Sequence, residues 1–197
     1  MSITFNSSTE RSTVTYAGES IETTITDKAA VIDQWWKPTY NPWTSNKAAT
    51  LHLCIDAKCI IVQLFYVDYI PQTLKSFCSN PNFIFVGVEV QDDVAKLRQK
   101  YGLFYARNKD IRDHAMTLWP MKWYRRPGLK AIALDVVGLY MEKPLHVCRS
   151  NCSGSASFPN NWEVRELSYD QIEYACINAY VSYRIGHKLL IENCASF

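Results

Sequence analysis

Asn82-Phe-Ile-Phe-Val-Gly87, continuing as Val88-Glu-Val-Gln-Asp-Asp-Val-Ala-Lys-Leu-Arg-Gln-Lys-Tyr101, carries the change of period that decides the fold. Its first part is a short apolar run rich in Phe, Ile and Val, the pattern of a buried strand. From Asp92 onward the apolar residues Val94, Leu97 and Tyr101 recur at helical spacing and share one face. A buried strand feeding an amphipathic helix is a layered α/β signature.

The same alternation extends in both directions. Upstream, Thr13-Val-Thr-Tyr16 and Ile21-Glu-Thr-Thr-Ile25 are β-prone segments joined by Ala17-Gly-Glu-Ser20, which predicts a hairpin. Thr26 or Asp27 caps a predicted helix over 28–36. Residues 38–45 read as a loop rich in Pro, Asn and Trp. Two apolar strands follow, over 48–55 and 59–65, around the polar turn Asp56-Ala-Lys58. Pro71 opens a helix that runs to Cys78, because proline suits the first helical turn. Downstream, Pro127-Gly128 precedes a predicted helix over 129–137, and residues 150–161 form a surface loop. Ser168 with Gln171 makes a capping box for a long helix over 168–190. The sum is a mixed α/β sheet with helices on its faces, in one domain over 13–192. Residues 1–12 read as an N-terminal segment and 193–197 as a tail.

Composition narrows the function classes. The chain has 197 residues, 48% hydrophobic and 20% charged, which is ordinary globular usage and excludes collagen-like, coiled-coil and disordered readings for most of it. The net charge is +2, so nucleic-acid binding would need a local basic patch rather than a basic whole. The longest apolar run, near residues 59–67, falls short of the roughly 20 residues of a spanning helix, so no membrane is expected. The first ten residues lack a secretory pattern. Seven cysteines, an odd number mostly inside apolar runs, read as reduced thiols of a protein that is not secreted. His146, Cys148 and Cys152 lack a convincing fourth ligand for zinc.

Phe85-Val-Gly-Val-Glu-Val-Gln-Asp-Asp-Val-Ala-Lys-Leu97 and Leu167-Ser-Tyr-Asp-Gln-Ile-Glu-Tyr-Ala-Cys-Ile-Asn-Ala-Tyr-Val-Ser182 together resemble the second and third motifs of the DEDDy 3′–5′ exonucleases, most closely the Werner-syndrome-like exonuclease domains of plants. Leu51-His-Leu-Cys54 with Cys59-Ile-Ile-Val-Gln-Leu64 resembles the paired strands of that domain. Gly128-Leu-Lys130, Lys143-Pro144 and Asn161-Trp162 resemble its later landmarks. The resemblance implies an RNase H-like (DnaQ-like) α/β fold. It also implies two-metal phosphodiester hydrolysis from a nucleic-acid 3′ end, with carboxylates holding two Mg²⁺ or Mn²⁺ ions about 4 Å apart. Carboxylates serve because these hard cations take oxygen ligands.

Carried over residue by residue, Asp93 matches the second-motif aspartate, a catalytic and metal-ligating position. Tyr174 matches the tyrosine that orients the nucleophilic water. Asn178, four residues later on the same helix face, stands where the family has its last aspartate. The family's first motif, Asp-x-Glu, is broken in either of two registers. In one, Val31-Ile-Asp-Gln-Trp-Trp-Lys-Pro38 is the first core strand, Asp33 is the catalytic and metal-ligating aspartate, and Trp35 replaces the glutamate. In the other, residues 21–35 match the hairpin and first helix of plant members, and the strand is missing between Trp35 and Trp36. The second agrees at more positions. Glu89, Asp92 and Glu173 are nearby acids to which the pattern gives no ligand role.

The expectation is therefore weakened or lost catalysis, with Mg²⁺ or Mn²⁺ as cofactor if the chain is active and none otherwise. The alternative is a non-catalytic domain that binds nucleic acid or regulates a partner. Expected partners are a DNA or RNA 3′ end, and a second copy or an active homologue. The expected location is nucleus or cytoplasm. The basic, aromatic stretch Trp119-Pro-Met-Lys-Trp-Tyr-Arg-Arg-Pro-Gly-Leu-Lys130 supplies nucleic-acid-binding candidates, Lys122, Trp123, Arg125, Arg126 and Lys130, since cations meet phosphate and aromatics stack bases.

Overall fold

The computed structural model describes residues 3–6, 11–36, 49–120, 126–141 and 161–192. The expected hairpin is β2 (Arg11–Tyr16) with β3 (Glu19–Thr26), antiparallel, its turn being Ala17-Gly18 alone. Both turn residues have positive φ, 50° and 83°, the geometry whose twist matches the flanking strands. β1 (Ile3–Asn6) pairs antiparallel with β2, so the expected N-terminal segment contributes a strand to the sheet.

α1 (Ala29–Trp36) follows, its entry fixed by the Lys28 amide donating to Thr26 Oγ1 at 3.0 Å. Ala29 and Ile32, three apart, are both buried. Ile32 packs into the cluster that holds Ile60, Val62 and Leu74. Helical spacing thus wins over the strand reading of residues 31–38 wherever they are described, over 31–36, and that register is corrected. The alternative register, hairpin then helix, is the one that the backbone follows. Among the described residues no strand lies between α1 and β4 (Leu51–Ile55). β4 turns through Asp56-Ala57 into the antiparallel β5 (Lys58–Val62), and β5 pairs parallel with β3. The strand order is β1-β2-β3-β5-β4, and β4 is an edge.

α2 (Gln72–Ser79) leads to β6 (Phe85–Gly87), shorter than the apolar run suggested, then α3 (Val90–Tyr101), β7 (Asn108–Asp110) and α4 (Ile111–Leu118). β6 and β7 pair parallel as a separate two-stranded sheet. The expected helix over 129–137 is α5 (Leu129–Ile132) running on into a wider π turn. The long helix is α6 (Tyr169–His187), with the capping box formed in both directions between Ser168 and Gln171.

Two apolar layers enclose the strands. On one side α6 lies over Ile21, Cys59 and Val86. On the other, Leu51, Ile60, Val62 and Phe85 pack with Leu74, Leu97 and Tyr101 from α2 and α3. Strand side chains alternate between these layers, as a sheet covered by helices on both faces requires.

Candidate active site

A cavity of about 550 Å³ lies between β4 and β6, with α6 along one side and α3 at one end. Two of the expected residues line it together. Asp93 sits in the first turn of α3, and Asn178 lies midway along α6. Tyr174 is one turn before Asn178 on the same face of α6, next to Trp162 at 6.3 Å between ring centroids. Asp93 is exposed and lies 3.8 Å from Lys96.

Asp33 lies apart from these three. It sits on α1 and accepts a hydrogen bond from Thr73 Oγ1, which joins α1 to α2. The alternative acids are likewise placed elsewhere or committed. Glu89 pairs with the buried Arg112 at 2.9 Å, and neither Asp92 nor Glu173 lines the cavity. Arg126 is paired with Asp113 at 2.8 Å, and Lys130 lies over the Tyr140 ring at 4.7 Å. Lys122, Trp123 and Arg125 lie outside the described residues, as do His146, Cys148 and Cys152.

The donor set decides what the site can hold. Mg²⁺ and Mn²⁺ need several oxygen ligands, with carboxylates to offset their charge. Asp93 is the one carboxylate on the described lining, and Asn178 offers a neutral amide. Among the described residues no three His, Cys, Asp or Glu side chains cluster as a metal site. These residues do not fit a two-cation centre.

His52 of β4 has two side-chain neighbours in the fold. Its Nε2 lies 2.9 Å from Thr50 Oγ1, and its ring lies 5.3 Å from Trp162. His52, Trp162 and Tyr174 therefore form one aromatic row from β4 to α6. Burial holds the imidazole down at about 4. The contact with Trp162 was invisible in sequence because the two residues are more than 100 positions apart. At the far end of the cavity, Tyr183 donates to Asp56 Oδ1 at 2.6 Å; desolvation, then this bond, pushes its hydroxyl up to about 12. Cys54, Cys59, Cys78 and Cys176 are free thiols. Thr23 Oγ1 donates to Cys176 Sγ at 3.1 Å beneath α6.

Comparison with known proteins agrees with the motif resemblance. An Arabidopsis thaliana 3′–5′ exonuclease is 27% identical over 158 residues, covering 78% of this chain and 50% of that protein. The mouse bifunctional 3′–5′ exonuclease/ATP-dependent helicase WRN is 26% identical over 182 residues, 91% of this chain and 12% of that protein. The chain thus spans half or less of the length of these curated relatives. No family model matches. Among solved structures, Brucella melitensis NrnC superposes with a TM-score of 0.53 at 18% identity, over 71% of this chain and 62% of that one. That likeness concerns the fold: a mixed sheet flanked by helices, RNase H-like.

Proposed function

We propose that this chain, a relative of the DnaQ-like 3′–5′ exonuclease domains, binds the 3′ end of a nucleic acid and hydrolyses it weakly or not at all. The observation that carries this reading is the meeting of Asp93 and Asn178 on one cavity, with Tyr174 a turn away on the same helix. Three positions matched to the family's motifs converge, which supports descent of the site. The charge there has fallen to a single described carboxylate, which supports loss of rate. Loss of even an outer partner of a metal site commonly costs 10–100-fold, and loss of direct ligands costs more. The retained parts suit recognition: Tyr174 and Trp162 offer aromatic faces for a terminal base, a contact worth roughly 1–3 kcal/mol.

The test uses a 5′-labelled single strand and a 3′-recessed duplex, with Mg²⁺ or Mn²⁺, comparing wild type with Asp93→Ala. Expected are salt-sensitive binding by both proteins and no shortening above background. Metal-dependent shortening that vanishes in Asp93→Ala would replace this reading with that of an active nuclease. Absence of binding by folded, monodisperse protein would overturn it altogether.

A further inference from the structure

We infer that Cys54 and Cys59 are a modification site: a peroxide oxidises this pair of thiols to a disulfide across the β4–β5 hairpin, and small thiols reverse it. The inference neither uses the nucleic-acid reading nor conflicts with it.

Backbone register makes the first argument. The Ala57 carbonyl accepts from the Glu22 amide at 2.9 Å, and the Gln63 amide donates to the Thr26 carbonyl at 2.8 Å. Odd-numbered residues of β5 therefore bond to β3, and even-numbered ones to β4. Ile55↔Lys58 is then the hydrogen-bonded pair that closes the turn, and Cys54↔Cys59, next to it, is a non-hydrogen-bonded pair. Directly opposite residues share one face of the sheet, and in pairs of this kind the Cα atoms stand about 4.5 Å apart. A disulfide spans Cα separations of roughly 4.4–6.8 Å. The bond therefore needs side-chain rotation and no shift of either strand.

The surroundings of the sulfurs make the second. Both side chains lie in the α6 layer, Cys59 buried and Cys54 half-buried. Cys54 Sγ reaches the Asp56 carbonyl at 3.6 Å, at a turn whose Ile55, Asp56 and Lys58 are exposed. Cys59 lies deeper and donates to the Cys176 carbonyl at 3.8 Å. Hydrogen bonding with the Cys176 and Cys54 thiols, then burial, pushes the Cys59 thiol up. A thiol so placed is inert toward an oxidant in solvent and reacts with a sulfur already beside it. Cys176 Sγ, its other sulfur neighbour, is buried and engaged by Thr23 Oγ1 at 3.1 Å. Cys78 lies in the α2/α3 layer on the opposite side of the sheet, where burial holds its thiol up at about 12.

The chemistry balances in two steps. The Cys54 sulfur attacks hydrogen peroxide and the O–O bond breaks, which leaves Cys54 as a sulfenic acid and releases one water. The Cys59 sulfur then attacks the Cys54 sulfur, the S–O bond breaks, and the hydroxyl leaves with the Cys59 proton as a second water. The two thiols lose two electrons and the peroxide gains them. In reverse, two glutathione molecules attack in turn, restore both thiols and leave as their own disulfide; the half-buried Cys54 is the sulfur they reach.

The test treats the full, reduced chain with hydrogen peroxide, blocks the remaining thiols and digests it without reduction. Trypsin cuts after Lys47, Lys58 and Lys75, so the bond shows as peptides 48–58 and 59–75 held together. That linked pair is expected, released by glutathione, with Cys54 oxidised at least about tenfold faster than Cys78. Cys59→Ala should leave Cys54 as a sulfenic acid that dimedone traps, and Cys54→Ala should leave Cys59 a thiol. Cys176→Ala should form the same link. The inference fails if Cys59 links to Cys176, if Cys54 links to Cys148, Cys152 or Cys194, or if glutathione does not release the pair. It also fails if Cys54 oxidises no faster than Cys78. Mapping of the wild type alone decides the pairing should a variant not fold.

Discussion

Asn178 separates shape from charge. An amide fills the same space as a carboxylate and keeps its turn of α6 intact, but it brings no negative charge to a cavity that holds Asp93. Asn178→Asp would restore one charge and nothing of the first motif. Its exonuclease rate is expected to stay within about tenfold of wild type, measured on the same labelled strands, while Mn²⁺ affinity rises. A gain of several hundredfold would mean that the remaining acids suffice and that the missing first motif has been replaced. His52 gives a second prediction at this scale. Its pKa in the folded chain is about 4 against 6.5 in an open chain. Above pH 6.5 the ring is neutral in both states and adds nothing. As pH falls from 6.5 to 4 the unfolded chain takes up the proton first, so stability drops across that window and levels off below it. The full loss is at most about 3 kcal/mol. Urea midpoints between pH 7.5 and 4.5 should fall less steeply for His52→Gln than for wild type, and parallel profiles would refute the assignment. Legibility at this scale followed locality. Tyr174 and Asn178 could be matched through the motif that their local stretch resembles, and i and i+4 then put them on one helix face. The row from His52 to Trp162 could not, because only folding makes those residues neighbours.

Elements were legible where their own sequence supplied both period and ends. α6 carries its capping box in Ser168 and Gln171, and its boundaries follow. The β2–β3 hairpin needs only Ala17-Gly18 to close. β7 was not legible, since Asn108-Lys-Asp110 is polar and without alternation. It is a strand because β6 lies beside it, and Asp110 then caps α4 by accepting from the Arg112 amide at 2.9 Å. Gly186 shows how closely α6 meets β6. A Cβ there would stand 2.6 Å from Val86 Cγ2, too near to coexist without movement. Gly186→Ala gains up to about 1 kcal/mol of helix propensity but meets an overpacking cost of roughly 1–3 kcal/mol. A net loss of about 1–2 kcal/mol is expected by urea denaturation. Val86→Ala should make the second substitution cheaper, a coupling that a double-mutant cycle reads directly. Additive losses would mean that α6 does not rest on Val86.

Over the whole molecule, the fold class could be read from the succession of strands and helices, and the register with no strand between Trp35 and Trp36 already pointed to a break in the sheet. Its place could not be read: among the described residues it falls between β4 and β6. Its consequence is unequal stability. The five-stranded sheet is continuous from β1 to β4, and its strand β5, between β3 and β4, is buried from Cys59 to Val62. The β6–β7 pair has three residues per strand and no ladder to that sheet, and Phe85, Val86 and Gly87 are only half-buried. α6 holds the two parts together through side chains. Side-chain packing without a shared hydrogen-bond ladder allows one part to open while the other persists, as in sub-global exchange units. Native-state hydrogen exchange should therefore give opening free energies for Phe85 and Gly87 at least about 2 kcal/mol below those for Ile60 and Ile61. Gly186→Ala should lower the first pair further and leave the second nearly unchanged. Equal values for all four amides would show a single cooperative unit, and the interrupted layer would then have no energetic meaning.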